Sequence, residues 1–132
     1  MTEVHIDQAG MQLVLRGEQG PVAAHVRQVG RRTVRYARTL AGNRTGRLRQ
    51  SISMERDRSI SGEYGVTVGS NVSYALVHHE GARPHVILAR RQGRVLRFRP
   101  RGGGIVYAKR VKHPGHRGTH YLSRALKMAM TG

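Results

Sequence analysis

Eight histidines and seven carboxylates are the side chains of this chain with the means to do chemistry, together with a few serines and a glycine run. The histidines fall into two groupings that invite a metal reading: His78-His79 with His85, and His113 with His116 and His120. A zinc site needs ligands at turn or helical spacing plus a carboxylate or thiolate. His116 and His120 have helical i, i+4 spacing, but Gly118 between them argues against one continuous helix. Glu80 is the sole acid nearby, and its adjacency to His79 in sequence places the two poorly for sharing a site. Dense arginine would repel a cation. The expectation is therefore no metal, with the histidines at surfaces or interfaces. Catalysis has little to stand on either. Ser51, Ser53 and Ser123 lack the glycine-flanked strand-to-helix turn that presents a nucleophile. Gly102-Gly103-Gly104 lacks the lysine and following helix of a phosphate-cradling loop. There is no cysteine, which removes thiolate ligands, disulfides and cysteine nucleophiles. The reading is a protein that is not an enzyme and needs no cofactor.

Anion binding is the chemistry the composition does support. Lys and Arg number 24 against 7 acids, a net of +17 over 132 residues, and lysine supplies only Lys109, Lys112 and Lys127. Guanidinium groups grip phosphate and carboxylate oxygens bidentately and are weakly hydrated, so they suit contacts with fixed anionic partners. Two groups stand out. Arg27, Arg31, Arg35 and Arg38 fall at i, i+4, i+8 and i+11, one stripe along a helix. Arg90, Arg91, Arg94, Arg97, Arg99 and Arg101 crowd a second segment. With one Phe, five Tyr and no Trp, stacking platforms for single strands are excluded. What remains is sequence-independent contact with phosphates, or with acidic neighbours in an assembly.

The elements that must carry these residues read as one α+β domain over residues 1–132. Residues 1–20 are expected as an extended arm, in which 11–16 fit a short strand or the lead-in to a helix. From Pro21 to Ala41 the apolar residues Val22, Val26, Val29, Thr33, Tyr36/Ala37 and Leu40 recur at helical steps, with Gly42-Asn43 as a stop. Gly30 inside this helix suggests close packing. Residues 45–52 read as a turn entering a strand. Val66 and Val68 alternate with Thr67 and Gly69 in a half-buried strand. Tyr74 to His79 fits a helical turn or strand ending at Gly81. Residues 86–112 form a long hairpin: Val86–Ala89 and Val95–Arg99 would pair across the basic loop Arg90–Arg94, with Leu96 and Phe98 on one face and Arg97 and Arg99 on the other. Ile105–Val111 reads as a further strand. Thr119 would cap a closing helix to Met130, with Tyr121, Leu122 and Leu126 on its apolar face. No apolar run approaches the ~18 residues of a membrane span. Residues 1–5 lack the basic and apolar regions of a secretory signal.

Landmarks in this order resemble the neck and tail-component family of long-tailed double-stranded DNA phages. They are Thr45-Gly46-Arg47-Leu48-Arg49-Gln50-Ser51-Ile52, Val66-Thr67-Val68-Gly69-Ser70, Tyr74-Ala75-Leu76-Val77-His78-His79-Glu80-Gly81, His113-Pro114-Gly115 and Tyr121-Leu122-Ser123-Arg124-Ala125-Leu126. The resemblance implies a virion structural protein assembled in the host bacterial cytoplasm. It implies a homo-oligomeric ring between the head-closure or portal side and the tail, with double-stranded DNA in the lumen and no membrane partner. It also implies that Gly46, Leu48, Ile52, Tyr74 and Gly81 determine fold and turns. His113-Pro114-Gly115 would enter the turn that delivers the last helix, which Tyr121, Leu122 and Leu126 dock. Ala82 stands where the family commonly has Thr, and the arginine-rich hairpin is more elaborate than usual. A tail terminator, tail-completion or minor head protein is a neighbouring reading. A free-standing basic nucleic-acid-binding protein is the reading from another class.

Overall fold

A computed structural model describes residues 2–57 and 62–132. Its centre is a 20-residue helix, α2 (Pro21–Leu40), which starts with Pro21 in the first helical turn and ends where Gly42 takes a left-handed φ of 73°. The side chains it buries are small: Ala23, Gly30, Thr33 and Ala37, followed by Ala41 at the cap. The valines of the sequence pattern flank this seam half-buried. Small residues let a neighbouring helix approach closely. That neighbour is α5 (Tyr121–Thr131), which buries Tyr121, Ala125 and Ala129. Thr33 satisfies its own hydroxyl by donating to the Val29 carbonyl at 2.9 Å. Gly30 is required by the other neighbour, since a Cβ there would run into Met54 Sδ and meet Val66 Cγ2 at 3.0 Å.

Met54 and Val66 belong to β1 (Ser53–Asp57) and β2 (Gly65–Gly69), an antiparallel pair registered from Ser53↔Gly69 to Asp57↔Gly65. Val66 and Val68 are half-buried against α2, as their alternation suggested. The N-terminal stretch is not simply extended: residues 8–16 form α1 (Gln8–Arg16), capped by Asp7, whose carboxylate accepts from Ala9 N at 3.1 Å. This helix packs on α2 but buries none of its residues. Residues 47–51 form a short helix, α3 (Arg47–Ser51), instead of leading directly into a strand. Gly46 enters it at φ 75°, a left-handed turn that redirects the chain, while Leu48 and Ile52 enter the core.

The rest of the sheet structure is a two-stranded ribbon between residues 81 and 117, entered from α4 (Ala75–Glu80). Its outgoing limb is β3 (Gly81–Ala82), β4 (His85–Leu88) and β5 (Leu96–Phe98); its return limb is β6 (Val106–Ala108), β7 (Arg110–His113) and β8 (His116–Arg117). Strand β3 pairs with β8, β4 with β7 and β5 with β6. Residues 86–89 and 95–99 therefore do not pair across Arg90–Arg94. The reversal sits at Pro100–Gly104, where Gly103 N donates to the Pro100 carbonyl at 3.1 Å and Gly102 supplies φ 81°. Residues 89–95 bulge out opposite Lys109. Leu96 and Phe98 are half-buried and Arg97 is exposed, the alternation expected of that strand.

The ribbon closes on the body through glycines. Gly81 has φ 90°, and a Cβ on it would lie 2.5 Å from Gly118 N and 2.6 Å from the His116 carbonyl. His113-Pro114-Gly115 lies within the return limb, between β7 and β8, so the turn that delivers α5 is residues 118–120 instead. Thr119 does not cap α5. Its N–H and hydroxyl both donate to the His78 carbonyl, at 3.1 and 3.0 Å, and His120 takes the cap position at φ 47°. Tyr121 docks the helix, fully buried, with Leu122 half-buried beside it; Leu126 is 46% exposed and Tyr74 is 41% exposed, so neither belongs to the core. Ala125 and Ala75 take those places.

The Tyr121 hydroxyl is buried without a hydrogen-bond partner among the described residues, and burial pushes its phenol above the usual range. An unsatisfied buried hydroxyl costs roughly 1–3 kcal/mol. Tyr121→Phe keeps the ring and removes that cost. The variant is expected to be about 1 kcal/mol more stable than the parent in urea unfolding, against the usual destabilising trend of core substitutions.

Candidate polyanion interface

The arginine stripe of α2 divides into two kinds of residue. Arg27 is half-buried: its Nη1 donates to the Glu18 carbonyl at 2.6 Å and to Tyr64 Oη at 3.4 Å, and its guanidinium lies 5.3 Å from the Tyr64 ring centre. Arg38 donates from Nη2 to the Ile52 carbonyl at 2.9 Å, tying α2 to the junction of α3 and β1. Both side chains act within the fold. Arg31 and Arg35 are exposed, and neither guanidinium has a hydrogen bond or ion pair among the described residues.

Two open grooves run along this face of α2 and share Arg31 and Arg35. The first, about 650 Å³, is completed by Ala24, Arg27, Gln28 and Arg32. The second, about 810 Å³, lies against α3 and adds Val34, Arg38, Thr39, Asn43, Gly46, Arg49 and Gln50. No acid lines either groove. Guanidinium and amide donors at this density, on a wet surface, fit anionic oxygens spaced along an extended partner. Arg32 and Arg49 were not singled out by the sequence reading. Arg49 was hidden because its segment read as a turn, and helical spacing across 47–51 is the signal that would have placed it beside α2.

The second basic group sits on the ribbon. Arg90, Arg91 and Arg94 are exposed in the bulge, Arg97 is exposed opposite Tyr107, and Arg99 and Arg101 flank Pro100 at the tip turn. The structure does not merge this set with the α2 stripe, because it occupies a separate element.

Glu18, Asp57 and Asp7 are engaged elsewhere. Glu18 pairs with Arg56, which also lies 5.0 Å from the Tyr64 ring centre. Asp57 accepts from Thr67 Oγ1 at 3.3 Å, and Asp7 caps α1.

The histidine groupings rearrange. His78 Nε2 contacts the Ala41 carbonyl at 3.0 Å, and His116 Nε2 contacts the Val77 carbonyl at 3.2 Å. His85 and His113 stack across β4 and β7 with ring centres 5.0 Å apart. His79, Glu80 and His120 come together instead, one donor atom from each lying within 4.8 Å of the other two. Adjacency in sequence did not keep His79 and Glu80 apart: Nδ1 and Oε1 are 2.7 Å from each other.

Arg38→Ala removes a charged donor from a backbone carbonyl and is expected to cost about 1 kcal/mol. Arg31→Ala and Arg35→Ala, which break no such bond, should stay within about 0.5 kcal/mol of the parent. Chemical unfolding of the three variants checks this division. Comparison with known protein families, with curated protein sequences and with solved structures found no match to this chain.

Proposed function

We propose that this chain is a structural protein of the phage neck, forming an oligomeric ring that joins head to tail around the DNA channel. The carrying observation is the acid-free groove system along α2, in which Arg31 and Arg35 face outward without internal partners. From Arg27 to Arg38 this face runs roughly 16 Å at 1.5 Å per residue, enough to meet several phosphates of a duplex. One subunit offers few such contacts. A closed set of copies around one duplex multiplies them through effective concentration. The ordered landmarks that resemble the neck and tail-component family point the same way.

The apolar surface supports assembly over a lone existence. Val86, Ile87, Leu88, Val95, Ile105, Val106 and Tyr107 on the ribbon are between 37% and 62% exposed. Two-stranded ribbons are marginal in water without a covering layer. On the body, Leu126, Met128 and Met130 of α5 are also uncovered, beside an apolar groove of about 640 Å³ that includes Val26, Val29, Val66 and Val68. Among the described residues no helix is long and apolar enough to cross a membrane. Protein neighbours, including other copies, are the covering that the reading assigns to these surfaces. No enzymatic role is assigned to the chain.

The test joins native mass measurement to titration with duplex DNA at two salt concentrations. The expected result is a multi-subunit species whose DNA affinity falls steeply with salt, each phosphate contact adding about −0.9 to the slope. Arg31→Glu with Arg35→Glu should leave the subunit folded and flatten that slope. A monomer that binds duplex at full strength favours the free-standing nucleic-acid-binding reading. Binding unchanged in the double variant removes the α2 face from the proposal.

A further inference from the structure

We propose that His79, Glu80 and His120 form a site for a divalent transition-metal ion of the zinc type, clamping the base of the ribbon to the start of α5. Two imidazoles and a carboxylate form a recognised zinc ligand set that leaves a fourth position for water or a neighbouring donor. The side chains come from two segments some forty residues apart in the sequence. His79 and Glu80 end α4, and His120 is the residue immediately before α5. Closure of β3 on β8 brings them together.

The surroundings fix the ligands. His120 N donates to the His79 carbonyl at 3.0 Å, so the two ligand-bearing backbones are joined directly. Their rings meet edge to face, 5.3 Å between centres. His120 is the one non-glycine residue with positive φ among the described residues, a conformation that costs a histidine energy and that aims its ring from the cap position. His79 presents Nδ1 toward Glu80 and has Nε2 3.4 Å from Ser123 Oγ. With Nδ1 on a metal, Nε2–H donates to Ser123, the outer contact that orients a ligating imidazole. Bonds of about 2.1 Å place tetrahedral donors roughly 3.4 Å apart. The donor atoms now lie within 4.8 Å of one another, and Glu80 and His120, both exposed, have room to turn toward a common ion.

Ser123, His79 and Glu80 also line up as a nucleophile, base and orienting acid would. The orienting acid of such a relay is buried, whereas the Glu80 side chain is 57% exposed. A relay also leaves His120 without a role. The metal reading uses all three donors and gives Ser123 its place.

The experiment takes the full chain, stripped with a chelator, and adds zinc chloride while native mass and thermal unfolding are recorded. One tightly held zinc per chain is expected, with a rise in Tm of about 5–10 °C at a hundredfold excess over Kd. His120→Asn keeps a residue that tolerates positive φ and should abolish both the bound ion and the rise, as should His79→Gln. Glu80→Gln, at an exposed position, should weaken binding at least tenfold. His85→Gln should change neither readout, which separates this cluster from the stacked His85–His113 pair. Absence of a zinc-dependent shift in the parent chain overturns the proposal, as does loss of zinc in His85→Gln with retention in His120→Asn. Labelling of Ser123 by a fluorophosphonate, with zinc making no difference, overturns it in favour of a nucleophilic serine.

Discussion

Close approach of α2 and α5 through alanine, glycine and threonine is the constraint on which the other elements depend. The buried residues of α2 and its cap are Ala23, Gly30, Thr33, Ala37 and Ala41, and those of α5 are Tyr121, Ala125 and Ala129; Ala37 and Ala41 share one core cluster with Tyr121 and Ala125. Helices meeting through small side chains gain dispersion contacts over their backbones, but they remove little apolar area from water per residue. Among the described residues, Tyr121 and Ile52 are the largest side chains buried completely. The interface thus fixes geometry strongly and contributes stability sparingly. Gly30 repeats the principle on the sheet side, where any Cβ would force Met54 and Val66 away.

A core of this kind has to hold a chain carrying +17, whose self-repulsion opposes compaction. Much apolar surface that could have enlarged the core is instead spent outside it, on α1, on α5 and along the ribbon. In a free-standing monomer that distribution is costly. In an assembly the same side chains are covered by neighbours, and the charge is offset by a polyanion. The proposed ring thereby accounts for two otherwise opposed features, a thin core and a generous apolar exterior.

The parts of the fold legible in the sequence are those set by local period and local turn chemistry. Pro21 and Gly42 bracket α2, and the alternation at Val66 and Val68 gives β2. The alternation at Leu96, Arg97 and Phe98 likewise gives β5. The apolar face of α2 was read in part: Thr33 and Ala37 are buried as the pattern required, but valine outweighed Ala23 and Gly30 in the pattern while the structure buries the smaller residues. The ribbon pairing was misread for a different reason. Two basic-flanked apolar runs with a glycine between them look like a hairpin, but Pro100 and the glycines after it make the better reversal, and register then follows from that turn. The His79, Glu80 and His120 cluster was beyond local reading altogether. It depends on Gly81 and Gly118 permitting a backbone approach between segments some forty residues apart, and no spacing rule within either segment encodes it.

The arginines carry the last step of the synthesis. A cation that donates to a backbone carbonyl, as Arg27 and Arg38 do, has its direction fixed by the fold while keeping its charge. Arg31 and Arg35 lie between them on the same helix face, and their side chains have no hydrogen bond or ion pair among the described residues. With Asp7 capping a helix, Glu18 paired to Arg56 and Glu80 beside His79, these acids do not reach the α2 grooves. Two copies meeting through this face would therefore oppose like charge to like charge across open water. The uncovered side chains of Leu126, Met128 and Met130 on α5 carry no charge themselves, whereas the ribbon sets its own arginines beside its apolar residues. In the proposed ring this asymmetry orients the subunit: contacts between copies fall on the apolar surfaces, and the α2 face is left to turn toward whatever anion the circle encloses.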